Sequence, residues 1–270
     1  MPNYLVTHIN PHLDDISAIW LFKKFHPDFS NAKIEFISQT AGGKFLEERG
    51  DLVYFGVGRG KYDEHKGDLK DCATSLLWKE IRESDLKPKD EIERLALNEL
   101  VEWVRMIDLG ISPYEFDSFS VPAFIRPMKS NQEDSLEGVK LGAAILDRIL
   151  EVVKKEQQAL IDWHSAIEFK SKFGKSFAIK SHFVNRAFCK KQGGELFLMY
   201  DPKYGSVQFF TPVEEIDLEP IYQKIKEIKP EEEWYLHQSH HMVLCGSSAA
   251  PDAKPTKLSF EQLMDVAKSV

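Results

Sequence analysis

Cysteine is scarce in this chain, and positive charge is in deficit. Three cysteines, Cys72, Cys189 and Cys245, lie far apart among 270 residues. They form no CxxC pair and no even framework, which argues against a disulfide scaffold and suits a reducing, cytoplasmic setting. Lys and Arg number 35 against 43 Asp and Glu, a formal net charge of −8. Basic excess supplies most of the affinity of a DNA-coating surface, so an extended DNA partner is not expected. No window approaches eighteen apolar residues, and the start MPNYLVTHIN lacks a basic segment followed by an apolar one. Neither a membrane span nor an export signal is therefore expected. There is no low-complexity tract and no internal repeat. What remains is an ordinary globular composition, 43% apolar, in a chain long enough for one large or two modest domains with full cores.

Hydrophobic periodicity predicts strands at Tyr4–Thr7, Lys33–Ser38 and Leu52–Val57, and helices at Asp15–Phe25, Gly42–Arg49 and Glu91–Ile107. A further helix should run through Glu83, capped by Asp71 or Thr74. Strands alternating with helices at this spacing favour βαβ units and a parallel sheet. Residues 135–172 read as one or two helices. After them the texture changes to KSFAIKS, a hairpin around Pro202–Gly205, WYLHQSHHMVLCG, and helices at Leu218–Ile228 and Ser259–Ser269. The expected organisation is α/β with a parallel-sheet domain over 1–134, a helical connector over 135–172 and a smaller α/β domain over 173–270.

Four clusters carry candidate chemistry. His8, His12, Asp14 and Asp15 fall between a strand and a helix, where open parallel sheets bind ligands. Neutral imidazole and carboxylate suit divalent cations such as Mn²⁺, Zn²⁺ or Mg²⁺, although either aspartate would also serve as a plain helix cap. In FGVGRGKYDEHKGD the glycines precede no helix start, so a phosphate-cradling loop fails on context. A turn carrying Asp63, Glu64 and His65 is the simpler account. Asp108 ends a long helix, where a carboxylate opposes the macrodipole and invites a compensating cation. In YLHQSHH, His237, His240 and His241 could meet phosphate through ring and backbone donors, with a structural role for at least one of them the default.

Together these segments resemble the DHH phosphoesterase superfamily, and within it the MYG-type exonuclease branch named after melanocyte proliferating gene. The opening pattern Thr-His-x-x-x-Phe-His-x-Asp-Glu is matched by Thr7, His8, His12, Asp14 and Asp15, with Pro11 for the Phe. Asp-Val/Ile-Gly and Phe-Asp-His-His align on Gly56-Val57-Gly58 and Tyr62-Asp63-Glu64-His65. Ile-Asp-Asn-Gly-Ile aligns on Ile107-Asp108-Leu109-Gly110-Ile111. LFLMYDPKYGSVQFFTP resembles the strand–Pro-Asp–strand segment, and YLHQSHH through KPTKLSFEQLMDVA more loosely resembles the terminal His–Gly–Lys-Thr-Arg-Glu region. The likeness is close as far as Ile111 and loose beyond it.

The resemblance implies a two-domain phosphoesterase holding a divalent metal, usually Mn²⁺ with Mg²⁺ or Zn²⁺ as alternatives. It would act on a phosphate-bearing small molecule or a short oligonucleotide. A homodimer is an open alternative that the sequence does not decide. His8, His12, Asp14, Asp63, Glu64 and Asp108 would be metal ligands, and His65 and Asp15 would handle protons. His237, His240, His241, Lys254 and Lys257 would reach the substrate phosphate as the second domain closes. Two positions depart from the pattern: Gly56 replaces an aspartate that bridges two metals, and Glu64 replaces the first histidine of a pair. One metal, two rearranged metals, or a degenerate site that binds without cutting are the resulting alternatives. NPHLDD also resembles the His-Pro-Asp-Asp motif of LmbE/PIG-L-type zinc de-N-acetylases, with His12 and Asp15 as ligands and Asp14 as base, but no clear downstream third ligand follows.

Overall fold

The computed structural model describes residues 2–38, 45–47, 49–67, 70–111, 120–246 and 252–270. The chain is mixed α/β and divides into two compact units, Met1–Lys154 and Lys155–Val270. The division falls inside one continuous helix, α5 (Gln132–Trp163), within the stretch expected to connect two domains. Among the described residues, no helix is long and apolar enough to cross a membrane.

The first unit is built on a parallel sheet of three strands, in the order β2 (Lys33–Ile37), β1 (Tyr4–His8), β3 (Leu52–Tyr54). The chain leaves β1 for a neighbour on one side and then crosses to the other, so β1 is a topological switch point. Ligands in such sheets bind at the carboxyl ends of the strands, and His8 is the last residue of β1. Helix α1 (Leu13–Phe25) follows. Its run from Leu13 to Phe22 is buried throughout, Asp14 and Asp15 included, because it is enclosed on all sides rather than along one stripe. Helices α2 (Ala73–Glu83) and α3 (Glu91–Asp108) and the short α4 (Val121–Ile125) complete the unit with the first part of α5. Leu5, Ile16, Leu21, Phe55, Leu77, Leu97, Ile125 and Leu146 meet in its core. Two polar ties pin α5 to the segment around α1: Trp20 Nε1 donates to Asp147 Oδ1 at 2.9 Å, and Asn10 N to Ser135 Oγ at 3.0 Å.

The cap of α2 differs from the sequence expectation. Neither Asp71 nor Thr74 caps it; Cys72 occupies the N-cap and Ser75 answers its backbone N–H at 2.9 Å. The acceptor for the free N–H groups comes instead from Asp14, some sixty residues away. Half of the helix expected at Gly42–Arg49 lies outside the described residues; Phe45–Glu47 have no regular structure. Residues 164–172 are not helical as expected, because Ile167–Ser171 pairs as a strand with Gly174–Lys180.

The second unit carries a mixed sheet of six strands: β4 (Ile167–Ser171), β5 (Gly174–Lys180), β6 (Leu196–Asp201), β7 (Ser206–Phe210), β9 (Met242–Cys245) and, at the edge, β8 (Tyr235–Leu236). Only β5 and β6 run parallel, and the short helix α6 (Arg186–Lys190) lies in their crossover. Alternation along the strands separates two cores. Ala178, Leu198, Val207, Phe209 and Val243 pack with helices α7 (Glu219–Ile228) and α8 (Phe260–Ser269). Phe177, Ile179, Phe197, Met199 and Phe210 pack with Phe188 of α6 and with Ala159 and Trp163 at the end of α5.

Candidate metal centre

Pro11 delays the start of α1, so His12 sits at its N-cap in an extended conformation and the two aspartates enter the first turn. They face different partners. Asp15 closes a capping box by accepting from His12 N at 2.9 Å. Its Oδ2 also meets His8 Nε2 at 3.0 Å, and Oδ1 accepts from Thr7 Oγ1 at 3.1 Å. Asp14 points at α2, accepting from Ala73 N and Thr74 N at 2.8 Å each, one bond per oxygen. A carboxylate on two free N–H groups at a helix N-terminus is favoured by both hydrogen bonding and the dipole.

Beyond β3, Gly56 N donates to Tyr62 O at 2.9 Å and closes a loop that delivers Asp63, Glu64 and His65. Asp63 is buried and braces this loop, accepting from Arg59 N at 2.6 Å, from His65 N at 3.0 Å and from the His65 ring at 2.9 Å. Gly56 has φ +62°, and a Cβ added there would land on Asp15 Oδ1. Asp15 of the first helix thus fills the space in front of Gly56.

Among the described residues of this unit, three groups have ligand-type atoms within 4.8 Å of one another: His8, His12 and Asp15; Asp14, Cys72 and Asp108; and Asp63, Glu64 and His65. Their charges tie them into one neighbourhood. Burial, followed by the charge of Asp14, pushes the Glu64 carboxyl up to about 8. Partial burial and then the charges of Asp14 and Asp15 push Asp108 up to about 7, although one side of it is open to solvent and screened. Asp14 is itself raised, by burial first and then by Asp15. For His8, burial opposes the charge, but the Asp15 hydrogen bond and charge prevail and lift the imidazole to about 9. His12 is lowered by burial and by the charge of His8, against the pull of Asp15, which leaves it neutral and available as a ligand. A cavity of about 240 Å³ lined by His12, Asp14, Asp108 and Arg126 opens beside these groups.

The donor set fits a divalent cation. Glu64 has a side chain only 15% exposed, and its Oε2 is buried with no hydrogen-bond partner. Carboxyls from α1, the Asp63–His65 loop and α3 crowd one another, with the His65 ring 3.3 Å from Glu64 Oε1 and Arg126 on the wall of the neighbouring cavity. A hard or borderline dication would neutralise them, with carboxylate and imidazole as its natural ligands. Cys72, placed by the α2 cap beside Asp14, adds a soft donor that sequence reasoning missed. Burial and then the charge of Asp14 push its thiol far above the ordinary range, so it is a neutral thiol without a metal. A lone cysteine in DCATS gives no sequence signal for that role, nor does Arg126 in FIRP for its place beside His12.

Asp15, expected to handle protons, is biased toward its ionised form. Burial alone would raise it, yet the His8 hydrogen bond and charge with the His12 N–H hold it below the ordinary carboxylate range. It is kept ionised and paired. His65 has the opposite bias: Asp63 and Glu64 outweigh burial and raise it, keeping the proton on an exposed ring.

The five substrate-binding candidates all lie in the second unit. His237 Nδ1 meets Ser239 Oγ at 2.8 Å, His240 Nδ1 meets Asp217 Oδ1 at 3.0 Å, and His241 Nε2 meets Glu214 O at 3.0 Å. Each ring therefore has one nitrogen engaged, that of His237 within its own turn and those of His240 and His241 with the Glu214–Asp217 segment, and His240 takes φ +58°. His240, Asp217 and Glu219 form a further cluster close enough to share an ion, at the surface. The Lys254 carbonyl and the Lys257 N–H serve the backbone, accepting from Cys245 Sγ and donating to Glu232 Oε1. Compared with protein-family models and with curated protein sequences, the chain matches none.

Proposed function

We propose that the first unit is the metal centre of a phosphodiesterase of the DHH superfamily, related to its MYG-type branch, acting on short oligonucleotides or small phosphodiesters. One observation carries the reading: Asp14, Glu64 and Asp108 converge from three separate elements, their carboxyls held above the ordinary range and one Glu64 oxygen buried without a partner. Acids arranged this way cost stability in the metal-free protein and are worth keeping only for a cation. His12, Asp14, Glu64 and Asp108 would hold it, with Asp63 bracing the loop. A divalent cation there supplies charge to stabilise a phosphoryl oxygen and to acidify a water at neutral pH.

The chain's own groups do the rest. Asp14 is oriented by two backbone N–H groups before any ligand arrives. The Asp15–His8 pair replaces the bridging aspartate lost at Gly56 with an anion already neutralised from behind. His65, proton-bearing and exposed beside the carboxylates, is placed to contact a phosphate and to protonate a leaving oxygen. The test is elemental analysis of protein purified without chelator, beside hydrolysis of bis-p-nitrophenyl phosphate with Mn²⁺. Asp14→Asn removes a ligand charge and gives α2 an acceptor on one side only, so metal content and hydrolysis should both vanish. Unchanged metal content in that variant would refute the assignment.

One observation favours a second reading. His8, His12 and Asp15 form a compact trio, and His8 would supply the third ligand that a zinc de-N-acetylase requires. This leaves Glu64 and Asp108 without a role. Zinc occupancy with acetate released from N-acetylated sugars, and no phosphodiester cleavage, would decide for it.

A further inference from the structure

Three consecutive N–H groups at the start of α2 serve two side chains. Ala73 N and Thr74 N donate to the two oxygens of Asp14 at 2.8 Å each, and Ser75 N donates to Cys72 Sγ. The Cys72 thiol shares a further hydrogen bond with the Asp14 carboxyl. One helix end therefore holds a carboxyl and a sulfur side by side, and both are buried. Asp108, the last residue of α3, brings a second carboxyl, and the ligand-type atoms of all three lie within 4.8 Å of one another. Asp108 is the exposed member of the trio and lines the cavity of about 240 Å³ together with Asp14, which gives a cation a way in from solvent. Among the described residues, neither Cys189 nor Cys245 belongs to a group of this kind. Capping alone does not account for the sulfur, because serine, threonine, aspartate and asparagine are the side chains that helix N-caps favour.

We infer that Cys72 is a thiolate ligand of the first unit's cation and makes the centre select Zn²⁺ or Co²⁺ over Mn²⁺ and Mg²⁺. The inference rests on the metal centre proposed for that unit, and departs from the Mn²⁺ that the family resemblance implies. Carboxylate oxygens suit Mn²⁺ and Mg²⁺, whereas a thiolate shifts preference toward softer ions. On binding, the S–H bond breaks, its proton leaves to solvent, and the sulfur takes the cation instead. The Ser75 N–H already points at that sulfur, and the positive end of the α2 dipole favours the charge it would carry. Asp14 and Asp108 then hold the same ion by oxygen, so the donor set is mixed. Such a set is built from the tertiary contact of α1, α2 and α3, with no cysteine motif in the chain.

The test is a Co²⁺ titration of the metal-free full chain, followed by near-ultraviolet absorption. A sulfur-to-cobalt charge-transfer band should grow with uptake, and Zn²⁺ should abolish it at far lower concentration than Mn²⁺ or Mg²⁺. Cys72→Ser keeps a competent helix cap, so it should fold, lose the band and bind Zn²⁺ at least about tenfold more weakly. Its Mn²⁺ affinity should change much less. Cys189→Ser and Cys245→Ser should keep the band. X-ray absorption of the zinc-loaded wild-type chain should show sulfur at about 2.3 Å, a reading that needs no variant. Cobalt uptake without the band, a band that survives Cys72→Ser, displacement by Mn²⁺ as readily as by Zn²⁺, or only oxygen and nitrogen around zinc would overturn the inference and leave the metal centre standing. No uptake of any of the four cations would overturn both. A sulfur-bound cation with no hydrolysis of bis-p-nitrophenyl phosphate would sustain the inference while refuting the enzyme.

Discussion

The two units bury different chemistry. Among the described residues, the first encloses His8, Asp14, Asp15, Asp63 and Asp71, whereas the buried polar side chains of the second are the hydroxyls of Ser171, Ser176, Ser181 and Thr211. A hydroxyl is satisfied by one neighbour, as Ser181 is by Asp162 at 2.6 Å. A buried carboxyl demands several donors or a cation. The first unit therefore holds ionisable groups in its interior at a cost in stability. The second keeps an apolar sheet and puts its charges on cavity walls.

That contrast can be broken or sharpened by experiment. Phe209→Ala empties a fully buried site on the second sheet and should cost about 3–5 kcal/mol in a denaturant titration, with metal content per folded chain unchanged. A cost below about 1 kcal/mol would mean that this core is not packed as described. Gly56→Ala places a side chain at φ +62° and against Asp15, so about 1–2 kcal/mol should be lost from the backbone alone, with cation affinity falling too. If that variant binds metal normally, Asp15 has no part in the centre.

Glu64→Gln should act in the opposite direction on stability. It removes a buried carboxyl that has one oxygen without a hydrogen bond and only the His65 ring, at 3.3 Å, beside the other, and should raise metal-free stability by about 1 kcal/mol at pH 8 while weakening cation uptake. Loss of stability would show that the His65 contact outweighs the cost of burial. The smallest effect is the pH slope. Glu64 and Asp108 are raised to about 8 and 7, and His8 to about 9, so the folded chain binds more protons than the unfolded one across this window. Stability from these groups is complete below their ordinary pKa values and is lost as pH rises through the folded ones. Calorimetry of the metal-free protein should show Tm falling by about 2–4 °C between pH 6 and pH 9, and Mn²⁺ should flatten the fall. A Tm that climbs instead would remove the electrostatic case for a cation.

Much of the local architecture was legible in the residues. The short buried strand YLVT, the amphipathic run from Glu91 to Ile107 and the Pro-Gly-containing hairpin each follow from periodicity and turn chemistry within a short window. The strand at Ile167–Ser171 was not legible, because IEFKS reads equally as the tail of a helix until Gly174–Lys180 pairs with it. The α2 cap was missed for a related reason. Asp71 and Thr74 are sound local candidates, and only a distant carboxylate displaces them. At the centre, the histidines and acids were visible as types, but nothing adjacent in the chain reveals that Asp15 is neutralised by His8 or that Cys72 stands beside Asp14.

By itself the sequence determined most of the elements, which side chains have the chemistry to hold a cation, and that the chain is acidic overall. These are properties of composition and of spacing within a few residues. Tertiary structure decided which acids are ionised, which oxygen is left without a partner, and which scattered lysines and arginine share a cavity wall. Those outcomes depend on burial and on distances between residues remote in the chain, and electrostatic energies change steeply with both.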